Sequence, residues 1–110
     1  MPTVYLGEFE QIVLLAVLRL GDRAYGVPIR AEIEARAGRA VTVGALYATL
    51  DRLEAKGLLH SWFADPTPQR GGRSKRYFRV LPKGITALSE SKAMFDRMWR
   101  GIRLKGESGA

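Results

Sequence analysis

Apolar residues in the first half of the chain recur at the three- and four-residue spacing of α-helices. A first helix is predicted over about Glu8–Leu20; it is apolar nearly all round and therefore needs burial on more than one side. A second is predicted over about Val27–Ala37, with Ile29 and Ile33 facing inward. A third follows directly, so this half of the chain predicts three helices in succession.

The third helix, from Thr42 to Gly57, has both of its ends specified by the sequence. Thr42 is a good N-cap, and Gly57 readily adopts the left-handed conformation that ends a helix. Its buried stripe is predicted to be Leu46, Leu50 and Leu53. The opposite face of its N-terminal half carries small side chains instead of the Glu and Lys of a solvated face, which favours a helix that enters a DNA major groove. A surface helix with incidental alanines is the alternative.

Beyond the third helix, the spacing changes to the alternation of β-strands. Two strands are predicted, over 58–64 and 75–81, and the residues between them combine prolines, glycines and arginines without an apolar anchor, which predicts an exposed hairpin tip. A solvated loop is the alternative for this segment, but after a helix-turn-helix we favour a wing that contacts phosphates. Four cations lie within seven residues here: Arg70, Arg73, Lys75 and Arg76.

A fourth helix is predicted over about Lys83–Leu104, followed by a disordered tail. Its apolar residues follow the alternating three- and four-residue spacing of a coiled-coil seam. Because the helix comes after a compact winged unit, the seam is expected to pack on a second subunit, against the apolar first helix. The residues expected at this dimer interface are Leu14, Leu15, Leu18, Leu88, Phe95, Trp99 and Ile102.

Two aromatic residues of the seam also raise the question of a ligand. Phe95 and Trp99 lie one helical turn apart, with Lys92 one turn earlier. Rings that pack tightly across a two-fold axis would be hydrophobic core only, which is the simpler interpretation. An unpaired ammonium is costly to bury, however, so a partly hydrated cleft for a small aromatic effector is the other interpretation, with Lys92, Phe95 and Trp99 as its candidate residues.

Composition narrows the choice of partner and chemistry. The chain has 110 residues, with 18 Lys and Arg against 11 Asp and Glu, and the net charge of +7 favours a polyanionic partner, either nucleic acid or an anionic membrane. Without cysteine and with a single histidine, His60, we expect no disulfide, metal site, cofactor or catalytic base. No apolar run is long enough to span a bilayer and no signal peptide is evident, so we expect a cytoplasmic protein without a membrane partner.

Taken together, the sequence resembles a PadR-type transcriptional regulator over about Leu6 to Ile102. The resemblance rests on the Tyr25-Gly26 turn, on the run from Gly44 to Tyr47 with the leucines that follow it, and on the wing from Gly71 to Val80. It implies a dimeric winged helix-turn-helix repressor, of the short form with a single C-terminal helix. Some short members bind flat aromatic compounds at the dimer interface. One departure is Leu81-Pro82, which stands where the family usually has a Thr that caps the last helix.

We therefore expect an α+β, mainly α protein. A winged helix-turn-helix domain of three helices and a two-stranded β-wing should occupy 1–81, a dimerisation helix 82–104, and a disordered tail 105–110. The expected function is sequence-specific binding of double-stranded DNA by a homodimeric repressor; the alternative is a winged-helix module for protein interaction or RNA binding. The residues expected at the DNA are Thr42, Val43, Gly44, Tyr47, Ala48, Arg52, Arg70, Arg73, Lys75 and Arg76, with Arg73 as a minor-groove probe.

Overall fold

The structure of the protein is a computed structural model that describes residues 4–64 and 74–105. Its first half consists of three helices: α1 (Glu8–Leu20), α2 (Gly26–Ala37) and α3 (Val43–Ala55). A short 3₁₀ turn joins α1 to α2. The three helices lie within a residue or two of their predicted positions.

The second half contains two strands and one long helix. Strands β1 (Leu59–Phe63) and β2 (Arg76–Val80) pair in an antiparallel sheet, and α4 (Pro82–Trp99) follows at once. The mainly helical α+β fold, a winged helix-turn-helix with one further helix, is confirmed. Among the described residues, no helix is both long and apolar enough to cross a membrane.

The three helices and the sheet share one hydrophobic core. The predicted inward residues of α2 and α3 are confirmed, and Phe78 of β2 closes the core from the sheet with 1% of its side chain exposed. Leu14 of α1 is completely buried in this core. The prediction that Leu14 lies at a dimer interface is therefore wrong, because α1 is covered on two sides within one protomer, whereas Leu15 and Leu18 remain exposed.

The wing is attached to the helical unit by backbone hydrogen bonds. The Phe78 amide donates to the Ala24 carbonyl at 2.9 Å, just ahead of α2, and Tyr25 forms an isolated bridge with Tyr77. The Leu81 amide donates to the Leu58 carbonyl at 2.9 Å, which closes the base of the sheet. These bonds fix the sheet to the segment ahead of α2 and to the residue that follows α3 and its turn.

Helix α4 starts without a side-chain cap and ends earlier than expected. Leu81 takes the N-cap position in extended conformation and Pro82 occupies the first turn, so the departure from the family pattern still permits a helix start here. The helix ends at Trp99, and Gly101 adopts a left-handed conformation with φ of 84°. Ile102 therefore lies beyond the helix, and the predicted continuation of the helix to Leu104 is corrected.

Candidate nucleic-acid interface

The N-terminal half of α3 presents the small side chains predicted from sequence. Thr42 caps the helix, since its hydroxyl oxygen accepts from the Ala45 amide at 3.0 Å. Val43, Gly44, Ala45 and Ala48 are all exposed and form what we call the small-residue face, with Val43 52% exposed. None of these four side chains is charged or large, so another surface can approach the helix backbone closely.

Tyr47 is held differently from its neighbours on α3. Its ring is partly buried, with its centroid 6.4 Å from that of Phe78, and its hydroxyl lies against Gly26 at the start of α2. A Cβ at position 26 would overlap this hydroxyl, which explains the glycine of the Tyr25-Gly26 turn. Tyr47 therefore packs α3 against α2 and β2 while part of its side chain stays accessible, and its contact with DNA stays a prediction.

Glu10 of α1 ties the C-terminal half of α3 to the first helix. One carboxylate oxygen accepts from Lys56 Nζ at 2.9 Å and from Arg52 Nε at 3.3 Å, and the other accepts from the Gly7 amide at 2.8 Å. The side chain is only 9% exposed. Burial alone would raise the pKa of Glu10, but the hydrogen bonds from Gly7, Lys56 and Arg52 outweigh it and hold the pKa below its ordinary value.

This Glu10 cluster, which consists of Glu10, Arg52 and Lys56, keeps an excess of positive charge. Two cations share one carboxylate, and Arg52 and Lys56 are both still exposed. Arg52 is thus fixed at the end of the small-residue face while it remains accessible, as a contact to a phosphate requires. Sequence reasoning missed Glu10; the only local signal is its place three residues after Gly7, where a helix-capping carboxylate is common.

Arg76 forms a second cluster between α3 and the wing. Its Nη1 donates to Asp51 Oδ1 at 2.9 Å, its Nη2 to Glu54 Oε1 at 2.7 Å, and its Nε to Ser61 Oγ at 3.1 Å. Its side chain is 22% exposed. Each nitrogen of Arg76 thus already donates within the protomer, which argues against the predicted contact of Arg76 with the DNA backbone.

Glu54 is the central acceptor of this Arg76 cluster, which comprises Asp51, Glu54, Ser61 and Arg76. Ser61 donates to it from both its amide, at 3.0 Å, and its hydroxyl. These bonds, together with the guanidinium of Arg76, hold the pKa of Glu54 below its ordinary value despite some burial. With two carboxylates and one cation the cluster carries excess negative charge, opposite in sign to the Glu10 cluster.

The wing itself is only partly described. Arg70 and Arg73 lie outside the described residues. Lys75 is exposed at the base of the wing, with its ammonium 4.5 Å from the centre of the Tyr25 ring and without a carboxylate partner in the described part of the chain. Lys75 is thus a cation accessible from outside, and its contact with the DNA backbone stays a prediction.

The outer face of the sheet carries stacked aromatic rings. Trp62 stacks on Tyr77 with centroids 6.0 Å apart, and His60 stacks on Trp62 at 5.9 Å. His60 has an aromatic neighbour, as expected for a histidine that packs on the wing. Within the described residues, no group of three or more acidic or histidine side chains could hold a metal ion.

Helix α4 exposes most of its apolar side chains. Phe95 is 50% and Trp99 53% exposed, while Leu88 packs partly against the core. A groove of about 970 Å³ runs between α4, α1 and the segment before α1. Lys92 donates to Asp96 at 2.7 Å, so the expectation of an unpaired ammonium on the seam is corrected.

Comparisons with known proteins agree with this geometry. The model of the "Transcriptional regulator PadR-like family" matches residues 14–90. The transcriptional regulator Rv3488 of Mycobacterium tuberculosis is 41% identical over 75 residues, which cover 66% of this chain and 64% of that protein. The match thus spans slightly less than two thirds of the relative's length.

Solved structures show the same fold. A PadR family transcription regulator from Clostridium difficile R20291 superposes with a TM-score of 0.69 at 23% identity, covering 84% of this chain and 92% of the other. A PadR family transcriptional regulator from Eggerthella lenta gives a TM-score of 0.65 at 27% identity, with 86% and 81% covered.

Proposed function

The chain belongs to the PadR-like family of transcriptional regulators, and from this premise we propose that it is a homodimeric, sequence-specific DNA-binding repressor. The observation that carries the proposal is the small-residue face of α3, whose side chains are exposed and uncharged, with the accessible cation Arg52 one helical turn beyond Ala48. Such a face fits a major groove, where base edges are distinguished by hydrogen bonds and apolar contacts. We assign no catalytic role to the protein.

The residues divide by the part of DNA that they would meet. Thr42, Val43, Gly44 and Ala48 would lie nearest the base edges, whereas Arg52 and Lys75 would contact phosphates. Arg70 and Arg73 are proposed as further backbone or minor-groove cations on the basis of their sequence position. Tyr47 would contribute through its packing of α3. Neutralising Lys75 with Lys75→Gln should reduce the magnitude of the slope of log K against log salt by about 1.

The proposed homodimer rests on the exposed apolar residues of α1 and α4. Large apolar side chains that stay in water do not stabilise the protomer. A contiguous exposed apolar patch is typical of an interaction site. Two copies related by a two-fold axis would present two α3 helices to half-sites roughly 34 to 36 Å apart. Excluding Leu14, the proposed interface residues are Leu15, Leu18, Leu88, Phe95, Trp99 and Ile102.

The DNA-binding proposal is tested with the intergenic DNA upstream of the gene, searched for an inverted repeat. The expected result is a mobility shift that survives excess non-specific competitor DNA. Ala48→Glu should abolish it, because a carboxylate on the small-residue face would meet bases and phosphates. Ala31→Glu, at an exposed position of α2, changes the net charge equally and should retain the shift.

The alternative, a winged-helix module for protein interaction or RNA binding, predicts a different outcome. In that case Ala48→Glu and Ala31→Glu would lower DNA affinity alike, and competitor DNA would remove all binding. The uncharged face of α3 favours DNA, because RNA major grooves are too narrow for side chains to read.

We also propose that the protein binds a small aromatic effector. This proposal is supported by the half-exposed rings of Phe95 and Trp99 and by the groove beside α4, which Phe95 lines and Lys92 and Trp99 do not. A planar aromatic anion should quench tryptophan emission and lower operator affinity, and Trp99→Ala should remove the quenching. Quenching that persists in Trp99→Ala must come from Trp62 and would leave these rings as dimer core.

A further inference from the structure

Arg76 lies where the wing meets α3. It is the first residue of β2 and pairs with Phe63 of β1, and its guanidinium reaches back to two carboxylates on the C-terminal half of α3. A planar guanidinium presents its donors in a rigid fork, so three simultaneous hydrogen bonds define the position of the side chain closely. The contact therefore fixes the start of β2 relative to α3.

Glu54 extends the same connection to β1. Its carboxylate accepts from the amide and hydroxyl of Ser61 as well as from Arg76. One carboxylate of α3 thus holds both strands of the wing. On the other side, the guanidinium carbon of Arg76 lies 4.9 Å from the centre of the Phe78 ring, the side chain by which the sheet enters the core.

The charge of the Arg76 cluster does not suit a phosphate ligand. Asp51 and Glu54 together outweigh the single positive charge of Arg76, and Asp51 is exposed. A phosphate that approached this guanidinium would be repelled by both carboxylates. The Glu10 cluster, with two cations for one carboxylate, has the opposite balance.

We propose that Arg76 is a positioning residue for DNA recognition: it holds the wing against α3 through Glu54 and Asp51, and specific binding depends on that connection without contact between Arg76 and a phosphate. The inference rests on the proposed DNA-binding function. Arg76 orients the wing relative to the small-residue face, so that the wing and this face can contact one DNA site together.

Arg76→Lys separates positioning from phosphate contact. Lysine keeps the charge and binds phosphates well, but it lacks the fork that reaches three acceptors. The positioning role predicts that Arg76→Lys and Arg76→Gln both reduce the ratio of operator to non-specific affinity by about tenfold. Retention of the wild-type ratio by Arg76→Lys, with loss only in Arg76→Gln, would overturn the proposal in favour of a phosphate contact.

Glu54→Gln gives an independent test, because a phosphate contact and a positioning role of Arg76 predict opposite changes in operator binding. If Arg76 touched a phosphate, removal of the competing carboxylate would strengthen operator binding. If Arg76 positions the wing, Glu54→Gln should lower the ratio of operator to non-specific affinity about as much as Arg76→Gln, and the double variant should be no worse than either. Glu34→Gln on α2, which has no ion-pair partner among the described residues, matches the charge change and should leave the ratio unaltered.

A measurement on the free protein distinguishes failure of the positioning role of Arg76 from failure of the proposed DNA-binding function. Amide hydrogen exchange in β1 and β2 of the free protein should accelerate in Arg76→Lys, Arg76→Gln and Glu54→Gln relative to α2, because the strands lose their connection to α3. Accelerated exchange in a protein that shows no operator preference would reject DNA recognition but keep the structural connection. Unchanged strand exchange together with an unchanged affinity ratio would reject the role of Arg76 itself.

Discussion

The winged unit (α1 to β2) and α4 use their large apolar side chains in opposite ways. In the winged unit, Leu46, Leu50 and Phe78 are at most 1% exposed and fill a shared core. Of the eighteen residues of α4, only Gly84 and Ala87 are buried, and Phe95 and Trp99 leave half their surface in water. The same residue types therefore stabilise the protomer in one region, whereas in the other they are available for a partner.

The largest expected effect comes from removing a core ring. Phe78→Ala should lower the free energy of unfolding by about 3 to 5 kcal/mol, because the buried surface is lost and a cavity remains. Phe95→Ala deletes the same ring from α4. In dilute protein, where a dimer would be dissociated, it should change the free energy of unfolding by less than about 0.5 kcal/mol. Chemical denaturation of both variants measures this difference.

Phe95→Ala and the wild type also test the homodimer. If α4 packs on a second copy, Phe95→Ala should weaken self-association in sedimentation, and the wild-type midpoint of thermal unfolding should rise with protein concentration. A wild-type protein that sediments as a monomer at micromolar concentration would contradict the proposed dimer and leave the exposed face of α4 for another partner.

The next largest loss of stability is expected at the junction between the two regions. A Cβ at Gly84 would lie 2.5 Å from the Leu58 carbonyl oxygen and 2.8 Å from Val80 Cγ1, closer than atoms can pack. Gly84→Ala should therefore cost about 1 to 3 kcal/mol, because α4 must shift away from the start of β1. Gly44→Ala is the matched control and should not destabilise the protein, because among the described residues a Cβ at Gly44 would meet nothing within 4 Å outside the adjacent turns of its own helix.

A smaller effect is expected at the start of α3. Thr42→Ala removes the acceptor of the Ala45 amide and should cost about 1 kcal/mol, whereas Thr42→Ser keeps the hydroxyl and should cost much less. Denaturant midpoints of the two variants give the comparison. Equal losses would mean that the methyl group of Thr42, and not its hydroxyl, stabilises the helix end.

Local signals in the sequence were sufficient to predict the helices and strands and the two ends of α3. Thr42 and Gly57 act within one turn of their own positions, and Gly57 has the left-handed φ of 78° that ends the helix. The pairing of Lys92 with Asp96 is also local, because residues four apart on a helix are neighbours, and charge spacing could have predicted it.

Other features depend on contacts that periodicity does not encode. A helix apolar nearly all round does not reveal which side meets the core, so Leu14 could not be distinguished from Leu15. Arg76 meets carboxylates 22 and 25 residues earlier in the chain, and Glu10 meets cations 42 and 46 residues later. The sequence alone does not distinguish an unpaired cation in a wing from a cation in an ion cluster, because tertiary structure brings the partners of the second together.

The smallest predicted effect is the response to acid, and it also distinguishes the two regions. Because the pKa of Glu10 is lowered from its ordinary value of 4.5, its carboxylate stabilises the fold above that pH, and this contribution is lost as the pH falls through the lower folded-state pKa. Glu10→Gln should therefore be less stable than the wild type at pH 7, and the two should converge once the pH falls below the folded-state pKa of Glu10. Asp96→Asn on α4 breaks an exposed pair, with 78% and 56% of the two side chains in solvent, and should change the free energy of unfolding at pH 7 by about 0.5 kcal/mol or less. Urea midpoints measured at several pH values check both variants, and parallel curves for Glu10→Gln and the wild type would show that Glu10 is not held by Arg52 and Lys56 in solution.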